Sequence, residues 1–462
     1  MKRSIAIIGA GHAGLLAAHG LVRAGYEVTL YSERTPAEML SETRPTGSAA
    51  RTHHGLRYER SLDLGHWDNV APKLRGTHLT VLQEPGNRLL TMTGRFKQPG
   101  LAIDLRLQCA RWLEDLKARG GEVVIEQVNR ARLERIASEH ELTLVATGKA
   151  ELANIFARDP ERSPYDRPQR NLAMLITRGG RHGFDGVPFV PIRFSIFVPF
   201  GEAFWIPYYH KDHGPTFNMV FEAKPGSAFD RFQGAKNGDE ALTIMKELMR
   251  EFIPWDYAWA REMELADPNG WLVGAITPTV RKPVAELPSG RLVLAIGDAA
   301  MTTDPIAGQG ANNASYMVQN LVESIIAHGD RPFDAAFLNG TFDQFYERAG
   351  HVNNVFMRTL LDPINAAAQE LLIAQYGSDG ITDTPQQAIA DAFSENFVDA
   401  SILTSAARDI RLARAFIAQT TGKPWLFSAI MGRLAIAGGQ VRQMFGLPPR
   451  HPEAPAHLAL TT

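Results

Sequence analysis

Apolar runs and amphipathic stretches alternate along the first third of the chain. "SIAIIGAGHAGLLAAHGLVRAGYEVTLYSER" reads as strand, Gly-rich turn, helix and strand. Ile5, Ile7 and Ile8 predict a strand buried on both faces, and Leu15, Leu16, Leu21 and Val22 one face of a helix. "YEVTLY" is the second strand. A βαβ unit of this kind lays its strands in parallel and belongs to a doubly wound sheet. A further helix runs from Asp104 to about Arg119, closed by paired glycines. Strands follow at "EVVIEQV" and at "LTLVATGK", Leu142 to Lys149. From about Asn171 to Glu222 the pattern changes. "FSIFVPF", "EAFWIPYY" and "TFNMVFEA" alternate, which predicts half-buried antiparallel strands, and "DEALTIMKELMREFI" predicts a helix on that sheet. The buried-strand pattern returns at "GRLVLAIGDAA", so the first domain is discontinuous. Beyond Pro332 the pattern is almost entirely helical, and "PPRHPEAPAHLALTT" predicts a loose tail.

Composition narrows the function classes. The 462 residues leave room for two or three domains, or one large discontinuous one. A net charge of -2 carries no polyanion-binding signature, so nucleic acid is not an expected partner. No apolar run reaches the roughly 18 to 20 residues of a membrane span. The Gly-rich turn directly after "SIAII" marks a buried strand rather than a signal peptide. The one cysteine, Cys109, cannot close an intramolecular disulfide, which suits a reducing cytoplasm. It lies inside a helical pattern and reads as a small core residue. His53, His54, His210 and His213 lack metal spacing, read as surface residues, and leave no metal site expected. No nucleophile or triad is evident, so no side chain is assigned a catalytic role.

Two Gly-rich helix entries carry the chemistry. In Gly9-Ala10-Gly11-His12-Ala13-Gly14, the first glycine permits a tight turn, the second lets backbone approach a pyrophosphate, and the third lets helix and strand pack closely. The strand before it and the helix after it supply the context that gives this motif meaning. Ser32 occupies the slot at the end of the second strand where an acidic residue binds ribose hydroxyls, and Glu33 follows it. Either can serve the ribose; Arg34 lies by the adenine or in solvent. The second entry is "GDAAMTTDPIAGQGANNA", Gly297 to Ala314. Asp298 directly after a buried strand can accept a bond from a polyol hydroxyl, such as those of a ribityl chain. Gly308-Gln309-Gly310 sets bare backbone N–H groups at the start of a helix whose one face is Ala314, Met317, Val318, Leu321 and Ile325.

GAGxAG followed late by GD and DPxxGQGAN resembles flavoprotein monooxygenases of the p-hydroxybenzoate hydroxylase fold. Together with "VTLYSER", "LAIDLRL", "LVATGK", "SPYDRPQRNL" and "ADAFSENF", these stretches resemble the epoxidase component of two-component styrene and indole monooxygenases over nearly the whole chain. The resemblance implies an α/β fold: a discontinuous Rossmann-like FAD-binding domain (residues 1–155 and 287–330), an inserted, mainly antiparallel β-sheet substrate domain (156–286) and a C-terminal helical region (331–462). It implies that Asp298 binds the ribityl chain, and that Pro305, Gly308, Gln309, Gly310, Ala311 and Asn312 lie by the isoalloxazine and pyrophosphate. Val128, Thr147, Gly148 and Gly297 join that cofactor set, and Arg44 and Arg106 approach the phosphates or the flavin. By their residue type alone, both arginines read by default as surface ion-pair residues, though Arg106 at a strand–helix start also suits phosphate.

The implied activity is that of an enzyme taking reduced FAD from a separate NADH-dependent flavin reductase. With O2 the flavin forms a C4a-hydroperoxide, which passes one oxygen to an aromatic alkene, an indole or a thioether. The one dinucleotide motif leaves no second site for nicotinamide, in keeping with a separate reductase. The implied pocket residues are Pro45, Thr46, Gly47, Thr77, Gly100 and Pro305. Gly47 stands where styrene epoxidases tend to carry Asn, so styrene itself is not specified. Among Phe194, Phe197, Phe200, Phe204, Trp205, Tyr208 and Tyr209, alternation sends about half to each face of the sheet. Two other readings stay open on residues alone: a single-component hydroxylase reduced directly by NAD(P)H, and a non-enzymatic binding protein. The sequence assigns no oligomeric state, with a homodimer one option.

Overall fold

Ser4–Ile8 and Glu27–Ser32 form adjacent parallel strands, in register from Ser4 opposite Glu27 to Ile8 opposite Tyr31. The helix His12–Arg23 joins them and buries Leu15, Leu16 and Leu21. In this computed structural model they lie in a six-stranded sheet, whose order is Val284–Glu286, Leu292–Ala295, Leu142–Val145, Ser4–Ile8, Glu27–Ser32 and Glu122–Ile125. All neighbours are parallel except the edge pair Val284–Glu286 with Leu292–Ala295. The structure describes residues 3–148, 150–181, 183–184, 186–378 and 380–447. Lys149 and the tail "PPRHPEAPAHLALTT" fall outside the described residues.

The sheet belongs to the first of two compact units, Met1–Asp68 with Ile103–Pro168 and Ile276–Asn354. Its core joins Ile5, Ile7 and Leu30 of the strands to Leu15 and Leu16, to Trp112 and Leu113 of the helix Leu105–Ala118, and to Val318, Leu321 and Ile325 of the helix Gly310–His328. Cys109 lies buried in this core, and burial pushes its thiol up to about 12, so it stays protonated and unreactive.

The second unit comprises Asn69–Ala102, Gln169–Ala275 and Val355–Thr462. Its sheet runs in the order Glu264–Leu265, Asn171–Arg178, Gly214–Ala223, Gly201–His210, Ile192–Phe197, Leu74–Glu84 and Asn87–Ala102, with Trp271–Ala275 also on Asn171–Arg178. These pairings are antiparallel except Leu74–Glu84 with Ile192–Phe197, which is parallel from Thr77 opposite Ile192 to Leu82 opposite Phe197. Phe197, Trp205, Phe217, Met219 and Phe221 share a core with Ala241, Met245, Leu248 and Phe252 of the helix Gly238–Phe252. Cross-strand pairing puts Phe194, Phe204, Val220, Tyr208 and Asn218 on the opposite face. A separate C-terminal core joins Leu371, Ile389 and Ile417.

The units divide the chain differently from the sequence-based boundaries. Residues 69–102 belong to the second unit, and residues 156–168, 276–286 and 331–354 to the first. The cause is pairing at long range: Leu74–Glu84 finds its parallel partner more than a hundred residues downstream.

Candidate functional site

Three neighbouring parallel strands end on the same edge of the first unit's sheet. Their C-terminal ends lead into Gly9–Gly14, Thr147–Gly148 and Gly297–Asp298. Backbone bonds tie these exits to neighbouring strands: Gly9 N–H to Tyr31 O at 2.9 Å, Ala146 N–H to Ile8 O at 2.8 Å, and Ile296 N–H to Val145 O at 2.9 Å. In open α/β sheets, ligands bind at such carboxyl ends, where the strand order reverses.

The glycines answer to different demands. Gly9 has φ +112°, and a Cβ there would lie 3.2 Å from the Ala146 backbone. A Cβ at Gly14 would lie 2.0 Å from Gly9 O. At Gly11 and Gly308 an added Cβ would meet nothing within 4 Å, so the backbone there faces open space. Gly308 takes the left-handed conformation (φ +62°) that ends the Pro305–Ala307 turn, and its N–H bonds Pro305 O at 2.8 Å. Asp304 caps this turn, accepting from Ile306 N–H at 3.1 Å, and leaves Pro305 exposed. Helices His12–Arg23 and Gly310–His328 both begin without a side-chain cap, whereas Leu105–Ala118 and Arg130–Glu139 are capped by Asp104 and Asn129. Uncapped N-termini leave first-turn donors for another acceptor.

Asp298 is open to solvent at its surface yet crowded by protein atoms. That desolvation raises its pKa above the ordinary carboxylate value, and Arg281 opposes the rise. Arg281 donates to Asp298 O at 3.2 Å and was not found from sequence; its signal, an arginine after a two-residue strand, is too weak to see.

Other candidates are tied down by the fold. Ser32 is buried and spends its hydroxyl on Arg34 O at 2.6 Å, leaving Glu33 as the exposed acid at that strand end, with Arg34 exposed beside it. Val128 is buried before the helix Arg130–Glu139. Arg106 is buried, and Asp104 takes its fork at 2.7 and 2.9 Å; Arg44 is exposed. Gln309 donates to Ala307 O at 2.9 Å, and Ala311 is half-buried. Asn312 latches two segments: its amide donates to Gly308 O at 2.9 Å, and its carbonyl accepts from Thr52 N–H at 3.0 Å. Thr147 is half-buried and Gly148 exposed. Pro45 is buried, Thr46 exposed and Gly47 half-buried in the first unit. In the second unit, the Thr77 hydroxyl lies 2.5 Å from that of Ser394, and Gly100 pairs with Leu74.

A polar shell around His12 is a further element that the motif alone does not reveal. Gln108 donates to His12 Nδ1 at 2.9 Å, and Ser315 Oγ lies 3.1 Å from Nε2. Since Ser315 Oγ donates to Ala311 O, it accepts from His12, which fixes a neutral ring with its proton on Nε2. Burial, aided by Arg51, lowers the His12 pKa to about 3. Glu59 lies 4.0 Å from His12 and 2.7 Å from Arg51. Burial raises the Glu59 pKa to about 7, with Arg51 pulling it down.

His210 corrects the surface reading of the histidines: it is fully buried, with Nε2 2.7 Å from Asp267. Its Nδ1 accepts from the Asp212 and His213 amides, so the residue staples a hairpin. Among the described residues no group of His, Cys, Asp or Glu could hold a metal, and no helix is long and apolar enough to cross a membrane.

Comparison with known proteins identifies the family. Residues 148–259 match the styrene monooxygenase A putative substrate binding domain, and residues 7–67 an NAD(P)-binding Rossmann-like domain. The chain is 32% identical over 339 residues to styrene monooxygenase StyA of Pseudomonas fluorescens, covering 71% of this chain and 78% of that protein. It is 31% identical over 337 residues to StyA of a Pseudomonas species, with the same coverage. The fold is that of p-nitrophenol 4-monooxygenase PnpA from Pseudomonas putida DLL-E4, at a TM-score of 0.52 and 14% identity, covering 91% of this chain and 97% of that one. This chain belongs to the styrene monooxygenase family and is an FAD-dependent monooxygenase.

Proposed function

We propose that the enzyme receives reduced FAD from a separate NADH-dependent flavin reductase and transfers one oxygen atom of O2 to an aromatic alkene, an indole or a thioether. The observation that carries the cofactor assignment is the pair of uncapped helix starts, beside backbone at Gly11 and Gly308 that faces open space. The residues present fit FAD. The Gly9–Gly14 turn with the His12–Arg23 helix start would take the pyrophosphate, and Glu33 the adenosine ribose. Asp298 would accept from the ribityl hydroxyls. Pro305, Gly308 and the start of Gly310–His328 would border the isoalloxazine, where the positive helix end favours negative charge. Bound reduced FAD supplies the oxygen-activating chemistry; the chain supplies binding, orientation and exclusion of water.

An aromatic substrate is supported by the face of the second unit's sheet that carries Phe194, Phe204 and Tyr208. Phe194 and Phe204 stack with centroids 4.4 Å apart, and Tyr208 is fully buried. A single dinucleotide-binding motif supports external reduction, and one buried cysteine suits a cytoplasmic location.

Two results follow. Asp298→Ala weakens FAD binding about 10- to 100-fold, as expected for losing hydrogen bonds to a charged group, with an unchanged circular dichroism spectrum; a flavin fluorescence titration checks it. In anaerobic mixing, NADH alone leaves the bound flavin yellow, and a catalytic amount of flavin reductase bleaches it. Rapid bleaching by NADH alone would overturn the two-component reading.

A further inference from the structure

Thr303 brings to the start of the helix Gly310–His328 a hydroxyl that the fold itself does not use. The residue is 8% exposed, and its Oγ1 is buried with no hydrogen-bond partner among the described residues. Nearby hydroxyls are engaged. Thr302 Oγ1 donates to Asp298 O at 2.8 Å, and Ser315 Oγ to Ala311 O at 3.1 Å. A hydroxyl buried without a partner costs stability, so its partner is to be sought outside the chain.

The hydroxyl lies against the helix start. A Cβ built on Gly310 would stand 3.7 Å from Thr303 Oγ1. The backbone on both sides of Thr303 is anchored. Met301–Thr302 pairs antiparallel with Thr279–Val280, and Asp304 accepts from Ile306 N–H at 3.1 Å. A β-branched side chain on fixed backbone has few χ1 choices, which holds the hydroxyl in place. Beside it, the backbone N–H groups of Gly310 and Ala311 donate to no described residue. The first turn has no side-chain cap and no acidic residue. The Thr303 O–H thus joins a set of free donors at the positive end of a 19-residue helix.

We propose that Thr303 is a flavin-binding residue whose hydroxyl donates to the anionic edge of the reduced isoalloxazine. With FAD at this helix start, as proposed above, reduction adds negative charge along N1 and the C2 carbonyl of the ring. Donors fixed in advance hold that charge more strongly than they hold the neutral oxidised ring. Thr303 therefore adds more to the binding of reduced FAD than to that of oxidised FAD. An enzyme loaded by a separate reductase needs that difference: it must capture the reduced form and release the oxidised one.

Thr303→Val keeps the shape of the side chain and removes the hydroxyl. In anaerobic titrations of the full-length protein, the variant should bind reduced FAD about tenfold or more weakly, the scale of a hydrogen bond to a charged group, while its affinity for oxidised FAD changes less than about twofold. The bound flavin then becomes harder to reduce, its potential falling by about 30 mV for each tenfold difference. Thr303→Ser should restore both quantities. Without FAD, the melting temperature of the valine variant should hold or rise, because an unpartnered hydroxyl has been removed. Equal weakening of both redox forms, a valine variant indifferent in both, or a serine variant that behaves like valine would overturn the role of Thr303 while leaving FAD at the helix start. Wild-type protein that binds neither redox form would overturn the FAD placement together with it.

Discussion

Gly14→Val will leave the chain unable to retain FAD. The added Cβ would lie 2.0 Å from Gly9 O and 3.2 Å from the Ala146 Cβ, and the nearer atom is backbone that cannot swing aside. Something must shift, and what shifts is the seating of the His12–Arg23 helix on the end of the Ser4–Ile8 strand. Overpacking of this kind costs about 1–3 kcal/mol of stability, and it misplaces the helix N-terminus. FAD affinity should fall by roughly two orders of magnitude or more, a loss of about 2.7 kcal/mol. Gly11→Ala is the informative companion. Its Cβ meets no protein atom within 4 Å, so the fold and its melting temperature should be unchanged while FAD binding still weakens. If Gly11→Ala bound FAD normally, the open space beside Gly11 would not be the cofactor's. Thermal melts and flavin titrations on both variants give the answer.

Glu59→Gln will expose a steep acid dependence of stability that the parent hides. His12 has its pKa lowered from its ordinary 6.5 to about 3, so the stability it contributes is present above pH 6.5 and is lost as pH falls toward 3. Glu59 has its pKa raised from its ordinary 4.5 to about 7, so its contribution is present below pH 4.5 and is lost as pH rises through 7. Between pH 4.5 and 6.5, unfolding takes up a proton at His12 and releases one at Glu59. The two slopes cancel. With glutamine at position 59, only the His12 slope remains, worth roughly 3 kcal/mol across the window. Urea unfolding midpoints of both proteins through this range report the difference. Parallel pH dependences would show that His12 and Glu59 do not oppose one another.

The parts of the fold that could be read in advance are those whose reasons are local. Gly9, Gly14 and Gly297 stand where a turn or a close approach demands glycine, and the strands before them are short apolar runs. Asp298 stood out because a carboxylate directly after a buried strand is unusual. Residues whose partners lie far along the chain could not. Leu74–Glu84 and Asn87–Ala102 take their place in the second unit through register with Ile192–Phe197, which no local periodicity encodes. The shell of His12, Gln108, Glu59, Arg51 and Ser315 draws on several separate elements, so no motif spans it. The hydrogen bonds of Asn312, which hold Gly308 against residues 50–52, likewise join segments far apart in sequence. His210 fails the surface expectation because Asp267, its partner, lies 57 residues downstream.

The most direct measurement is product analysis under ¹⁸O₂. Purified protein would be supplied with FAD, NADH and a flavin reductase, and offered styrene, indole and aryl methyl sulfides in turn. An oxygenated product is expected from at least one of them, carrying a single ¹⁸O atom and formed only when the protein, reductase and O₂ are all present. Reductase-driven consumption of NADH and O₂ without any oxygenated product across the panel would contradict oxygen transfer to these substrates.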